Sequence, residues 1–207
     1  MKKNILVVLF LSISTLLTAQ QLYLEGGKMT TTFDYKDAQG KQLENFQATN
    51  NTFMAIGYKS PLFSKNSTGS VGLNYAGYGA IGSDDTVGNF MEWQLHYLAV
   101  AIGLDMTLFS IKDTDFYIKG TNTVGFLMQG TQTLNSKVMD LNNNDDFDTF
   151  LVEFSAGIGL THPVSENLSF YVQYLYGKSL DIGSGASEFK IASNKVGFGL
   201  LIDISNY

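Results

Sequence analysis

The sequence contains no cysteine and no arginine, and it has only 2 prolines in 207 residues and a charged share of 15%. Soluble domains usually carry about 25% charged residues, so an ordinary charge-coated soluble enzyme is disfavoured. Without cysteine there is no disulfide scaffold, thiolate metal site, thiol nucleophile or lipid anchor on an N-terminal cysteine. All 13 basic residues are lysine, and the formal net charge is −6. Arginine is the side chain best suited to bidentate phosphate and base recognition. Its absence and the acidic balance exclude nucleic acid as a partner.

Uninterrupted apolar sequence is confined to the start of the chain. Lys2 and Lys3 precede a charge-free stretch from Ile5 to Leu17, and Thr18, Ala19 and Gln20 follow. That stretch is shorter than the roughly 20 residues a spanning helix needs. Its flanks are those of a secretory signal peptide over residues 1–20, cleaved after Ala19 or Gln20, which leaves residues 21–207 as one domain working outside the cytoplasm.

Beyond residue 20 the recurring feature is alternation. Leu168, Phe170, Val172, Tyr174 and Tyr176 fall on one face of a strand, with Ser169, Tyr171, Gln173, Leu175 and Gly177 on the other. Phe150 to Leu160 and Val196 to Ile204 repeat the pattern, with glycine, serine or single charges opposite the apolar row. Eight strands are predicted at about 21–34, 50–60, 68–80, 92–109, 115–132, 148–162, 167–179 and 189–204. In the first, Gly26-Gly27 breaks the phase and predicts a bulge. Short connections alternate with long polar ones, and the long ones follow odd-numbered strands. A barrel with both termini in the periplasm has this asymmetry.

The bulky apolar face suits lipid, and the small face suits the narrow interior of an eight-stranded barrel. Each strand is long enough to cross a hydrocarbon layer, which takes roughly 9–11 tilted residues. Tyr58, Trp93, Tyr97, Phe109, Phe116, Tyr117, Phe150 and Phe170 lie near strand ends, where interfacial girdles are expected. The expected fold is all-β, an eight-stranded antiparallel up-and-down transmembrane β-barrel. The signal peptide, the eight alternating strands and the aromatic last residue, Tyr207, resemble the small outer-membrane β-barrel proteins of Gram-negative bacteria, of the porin-like or OmpX/OmpA-transmembrane type. The resemblance covers residues 21–207 and implies fold and location, the bacterial outer membrane, rather than an activity.

In this phase Lys59, Asp105, Lys119, Glu153, Lys195 and Asp203 point into the lumen with Asn74, Gln129 and Gln173. An eight-stranded interior is just wide enough for side chains to fill, so these charges are expected to form a static network that holds the barrel. Asp140 to Asp148 partly matches a calcium loop, but Asp145 stands where glycine belongs and Leu151 where a bidentate glutamate belongs, so a solvated acidic loop is expected and no metal or cofactor is assigned. His96 shares a face with Glu92 and Gln94, and His162 adjoins Pro163; no serine is fixed relative to either, so no catalytic residues are assigned. Gly77 to Gly82 mimics a dinucleotide fingerprint but opens a loop rather than a helix.

The expected role is structural or interactive. The expected partners are outer-membrane lipids and lipopolysaccharide, the barrel-assembly machinery during insertion, and an envelope protein reached through the extracellular loops. A narrow pore for small solutes is the alternative, and a lipid-modifying enzyme the third.

Overall fold

The computed structural model describes residues 21–36, 46–62, 64, 66–84, 89–141, 150–182 and 188–204. Residues 1–20, where a signal peptide is expected, most of the acidic Asp140 to Asp148 stretch and Tyr207 lie outside the described residues. Nine strands run through them: β1 (Gln21–Lys36), β2 (Phe46–Pro61), β3 (Ser67–Asp84), β4 (Asn89–Ile111), β5 (Thr114–Leu134), β6 (Lys137–Asp140), β7 (Phe150–Ser165), β8 (Leu168–Ser179) and β9 (Glu188–Asp203). Eight of them, all but β6, close into an antiparallel barrel. Each pairs with its sequence neighbour, β5 pairs with β7, and β1 pairs with β9 from Gln21↔Asp203 to Lys36↔Glu188. Closure leaves no unpaired strand edge in the wall.

β6 is a short return that the sequence pattern did not reveal. Asn135 and Ser136 both adopt positive φ, 48° and 70°, the geometry of a two-residue type I′ hairpin turn. Lys137–Asp140 then folds back onto Thr131–Leu134.

The eight barrel strands run 12 to 23 residues, and most are much longer than a bilayer crossing requires. The surplus explains a change of polarity along the wall. Toward the end that carries the termini, outward side chains are apolar, as with Leu24, Ile56, Leu73, Ile102 and Phe198. Toward the other end the outward side chains of β1 become Lys28, Thr30, Thr32 and Asp34. There the interior is apolar instead: Met29, Phe33, Phe53, Trp93, Leu95, Tyr97, Leu151 and Ile191 pack together. Phe33 meets Phe189 at 4.7 Å and Trp93 at 6.1 Å between ring centres. This upper part has the inside-out pattern of a soluble barrel, set on top of a membrane segment.

Three expectations are corrected here. β1 is continuous through Gly26 and Gly27, paired without slip on both sides; the break in its pattern is the polarity change, not a bulge. Trp93, Tyr97 and Tyr117 face the interior rather than an interfacial girdle. Gln129 is exposed and not lumenal, because Met128 is looped out as the register passes from His96↔Gln129 to Tyr97↔Leu127. That bulge flips the phase, and Leu127 turns inward against the core.

Candidate functional site: the filled lumen

The lower lumen is polar and charge-balanced. Lys59, on β2, reaches Asp105 Oδ2 on β4 at 2.7 Å, and Lys119, on β5, reaches Asp105 Oδ1 at 3.0 Å. One carboxylate therefore bridges two ammonium groups on strands that do not touch. The Lys59 ammonium also lies 4.8 Å from the Tyr171 ring centre and 5.5 Å from that of Tyr117, within cation–π range.

A second cluster centres on Glu153 of β7, 1% exposed. Its carboxylate takes Lys195 Nζ at 2.8 Å and accepts hydrogen bonds from the Tyr78 hydroxyl at 2.7 Å and from the Ser193 hydroxyl. A third involves Glu25, which accepts from Gln173 Nε2 at 2.7 Å and from the Tyr171 hydroxyl at 3.0 Å. The Tyr117 hydroxyl donates to Gln173 Oε1 at 3.2 Å. Three carboxylates thus face three ammonium groups, each charge paired or hydrogen-bonded, as buried charges must be.

Glycine makes room for the tyrosines. Tyr23 pairs with Gly57, Tyr117 with Gly159 and Tyr171 with Gly199. A Cβ on Gly159 would stand 2.3 Å from the Tyr117 ring, and one on Gly199 would stand 2.2 Å from that of Tyr171. Each ring lies across its cross-strand glycine and leaves its hydroxyl at the polar cluster, a pairing that shields backbone as well as filling space.

Five of the six charged residues assigned to the lumen, Lys59, Asp105, Lys119, Glu153 and Lys195, are buried in these clusters. Asp203 stands half-buried at the end of β9, where its backbone N–H donates to Asn167 O at 2.9 Å. Asn74 and Gln173 line the interior. Glu25 was missed because the apparent break at Gly26-Gly27 hid the phase of β1. With that phase restored, Tyr23, Glu25, Gly27, Met29 and Thr31 share the inward face.

Between the polar clusters and the apolar plug lies a cavity of about 40 Å³ bounded by Asn74, Thr121, Lys119, Gln173 and Lys195. It has room for a few water molecules, and the buried Asn74 Oδ1 and Thr121 Oγ1, which have no protein partner, give them acceptors. Above it the plug is sealed by loop residues: Leu141 and Ile182 are 2% and 1% exposed, tied by Leu141 N to Gly130 O and Ile182 N to Phe189 O. The histidines stand elsewhere. His96 faces outward, stacked on Tyr75 at 5.8 Å, and its Nδ1 has no hydrogen-bond partner. His162 Nδ1 meets Thr114 Oγ1 at 2.9 Å near the short turns.

No protein-family model matches the sequence, and none of the curated proteins matches it. Among solved structures, Neisserial surface protein A superposes with a TM-score of 0.50 at 10% identity, over 88% of this chain and 97% of that one. The chain has the fold of the small bacterial outer-membrane barrels. Its exposed belt of Leu, Ile, Val, Phe and Met places the barrel in that membrane, because a closed barrel satisfies its backbone in lipid. The short connections from β2 to β3, β4 to β5 and β7 to β8 are then periplasmic and the opposite end extracellular. Other outer-membrane barrels of similar shape include the attachment invasion locus protein Ail of Yersinia pestis, at TM-score 0.43 and 11% identity over 90% and 100% of the chains. The protease OmpT of Escherichia coli stands at 0.47 and 8%, over 90% and 97%. A barrel fold by itself does not choose a role.

Proposed function

We propose that the protein is a non-enzymatic, closed barrel that carries a rigid extracellular platform and presents it to another component of the envelope or cell surface. The observation that carries this is the extracellular continuation of the strands, with its own apolar core around Trp93 and Phe33. A membrane anchor needs only the belt. The continuation holds the β4, β5 and β6 ends as a three-stranded ribbon with Val138 65% exposed at its edge, a form suited to pairing with a partner strand or packing under a loop.

The test introduces Val138→Lys and, separately, Val138→Pro at the free edge of β6, changes that disfavour strand addition, and compares proximity labelling of surface neighbours with the unaltered protein in living cells. Loss of a specific neighbour from a barrel that still folds supports the platform. An unchanged set of neighbours refutes it.

A narrow pore is the second reading, favoured by the buried charges and the water-sized cavity in the lower lumen. The apolar plug with Leu141 and Ile182 at its top weighs against it, since water and ions would have to cross a dry, packed segment. Catalysis by His96 is the third; its ring, stacked on Tyr75 at the outer wall, supports an interfacial role instead.

A further inference from the structure

The outer wall carries a furrow of about 670 Å³ with an almost wholly apolar lining. It lies between two successive outward rows of side chains, with Leu24, Ile56 and Leu73 on the periplasmic side and Phe198 and Met54 on the extracellular side. It runs from Phe170 on β8 to Leu98 on β4, five interstrand steps or about 24 Å. From β1 it extends two interstrand steps to Phe170 and three to Leu98, about 14 Å at most, close to the roughly 15 Å of half a hydrocarbon layer, so an extended acyl chain fits along the longer arm. The extracellular wall has one gap. Gly26 stands in the row between Phe198 and Met54, its two cross-strand partners, and has no side chain to close it.

Directly above the gap, two residues on along the same outward face of β1, is Lys28, exposed. In register Lys28 stands between Val196 and Thr52, and Tyr174 lies beyond Val196, so none of these neighbours on its level is a carboxylate. The furrow therefore empties toward a lysine, on a chain whose formal net charge is −6.

We propose that this furrow is a lipid site: an acyl chain of a phosphorylated, multiply acylated glycolipid of the lipopolysaccharide type lies along it and leaves through the Gly26 gap, so that a headgroup phosphate meets Lys28. An apolar trough alone would accept any lipid tail. The lysine at its mouth selects an anionic headgroup, because a phosphate–ammonium contact at a membrane interface is a charge-assisted hydrogen bond in reduced dielectric. The inference rests on the membrane placement of the barrel and is independent of the extracellular platform, so either can fail without the other.

The test counts lipids retained per barrel by native mass spectrometry, using the mature chain refolded in mixed micelles with lipid A. Phosphate-free lipid A and phosphatidylethanolamine serve as separate comparisons. Gly26→Leu fills the gap; a Cβ there meets nothing nearer than Phe53 O at 3.9 Å, so the barrel accommodates it. Lys28→Gln removes the charge from an exposed position. Each substitution is expected to lower lipid A retention about tenfold, as is removal of the phosphates, the loss typical of one hydrogen bond to a charged group. The proposal is overturned if the Gly26→Leu barrel, shown by circular dichroism to be folded, retains as much lipid A as the unaltered protein. Equal retention of phosphate-free lipid A or phosphatidylethanolamine by the unaltered protein overturns it as well, since the lysine would then select nothing.

Discussion

At the scale of single residues, Glu153 concentrates the most structure on one side chain. It lies at the boundary between polar clusters and plug, and Lys195, Tyr78 and Ser193 all direct donors at it. Removing one partner from a buried ion pair leaves an uncompensated charge and costs about 3–5 kcal/mol, whereas replacing both with apolar groups is often neutral. Glu153→Ala is therefore expected to lower unfolding free energy by that amount in a urea titration of the refolded barrel, and the double variant Glu153→Leu with Lys195→Met to recover most of it. A double variant as unstable as the single one would show that the pair is not the unit. Thr31 is a second such residue. The β2–β3 ladder is interrupted between Ala48 and Phe53, and the Thr31 hydroxyl fills the gap. It donates to Gly79 O at 2.7 Å and accepts from Gly79 N at 2.8 Å and from Asn51 Nδ2 at 2.9 Å. Thr31→Val keeps the shape and removes these bonds, so a loss of about 1–3 kcal/mol is expected, with Thr31→Ser retaining most of the stability. Equal stability of the valine and serine variants would show the hydroxyl to be idle.

At the scale of the strand, the paired ends of β1 and β9 are held above the membrane by Lys36 and Lys190, whose ammonium groups lie 3.3 and 3.2 Å from Glu188 Oε2. Hydrogen bonds from Lys190 and Lys36 hold the Glu188 carboxyl below its ordinary value of 4.5. A depressed carboxyl stabilises the folded form above the unfolded value and loses that contribution as pH falls through the folded one. The Glu188 carboxyl resonance should accordingly titrate with a midpoint below 4.5 and move back up in 1 M salt, which screens exposed charges; a midpoint at or above 4.5 in low salt would mean that the clasp is open. Strands were also the level at which sequence reasoning succeeded and then stopped. Alternation found the eight barrel strands within a few residues, because lipid outside and small side chains inside impose a strict period of two. It misplaced Trp93, Tyr97 and Gln129 where that chemistry reverses above the belt or a bulge shifts the phase. Alternation fixes which residues share a face but not whether the face meets lipid, water or the lumen, and that depends on height along a strand longer than the membrane is thick. The hairpin at Asn135-Ser136 escaped notice because four residues of β6 are too few to show a period.

At the scale of the whole molecule, two differently built segments sit on one axis. The membrane segment keeps lipid outside and balanced charge inside; the extracellular segment keeps water outside and an apolar core inside. Conduction needs a continuous wet path, and among the described residues the water-sized space of the lumen lies in its lower part, beneath side chains such as Leu95 and Leu151 that are fully buried. Planar bilayers containing refolded residues 21–207 are expected to remain silent, with no salt-dependent current steps. The plug rather than the ion pairs should be the barrier. Glu153→Gln keeps the plug packed and should stay silent, whereas Ile182→Asp together with Leu141→Asp places two charges in the seal, forces hydration there and should give brief openings. Steps from the unaltered protein whose ion preference changes in Glu153→Gln would instead assign conduction to the charged clusters, and the narrow pore would then displace the platform as the better account of the barrel.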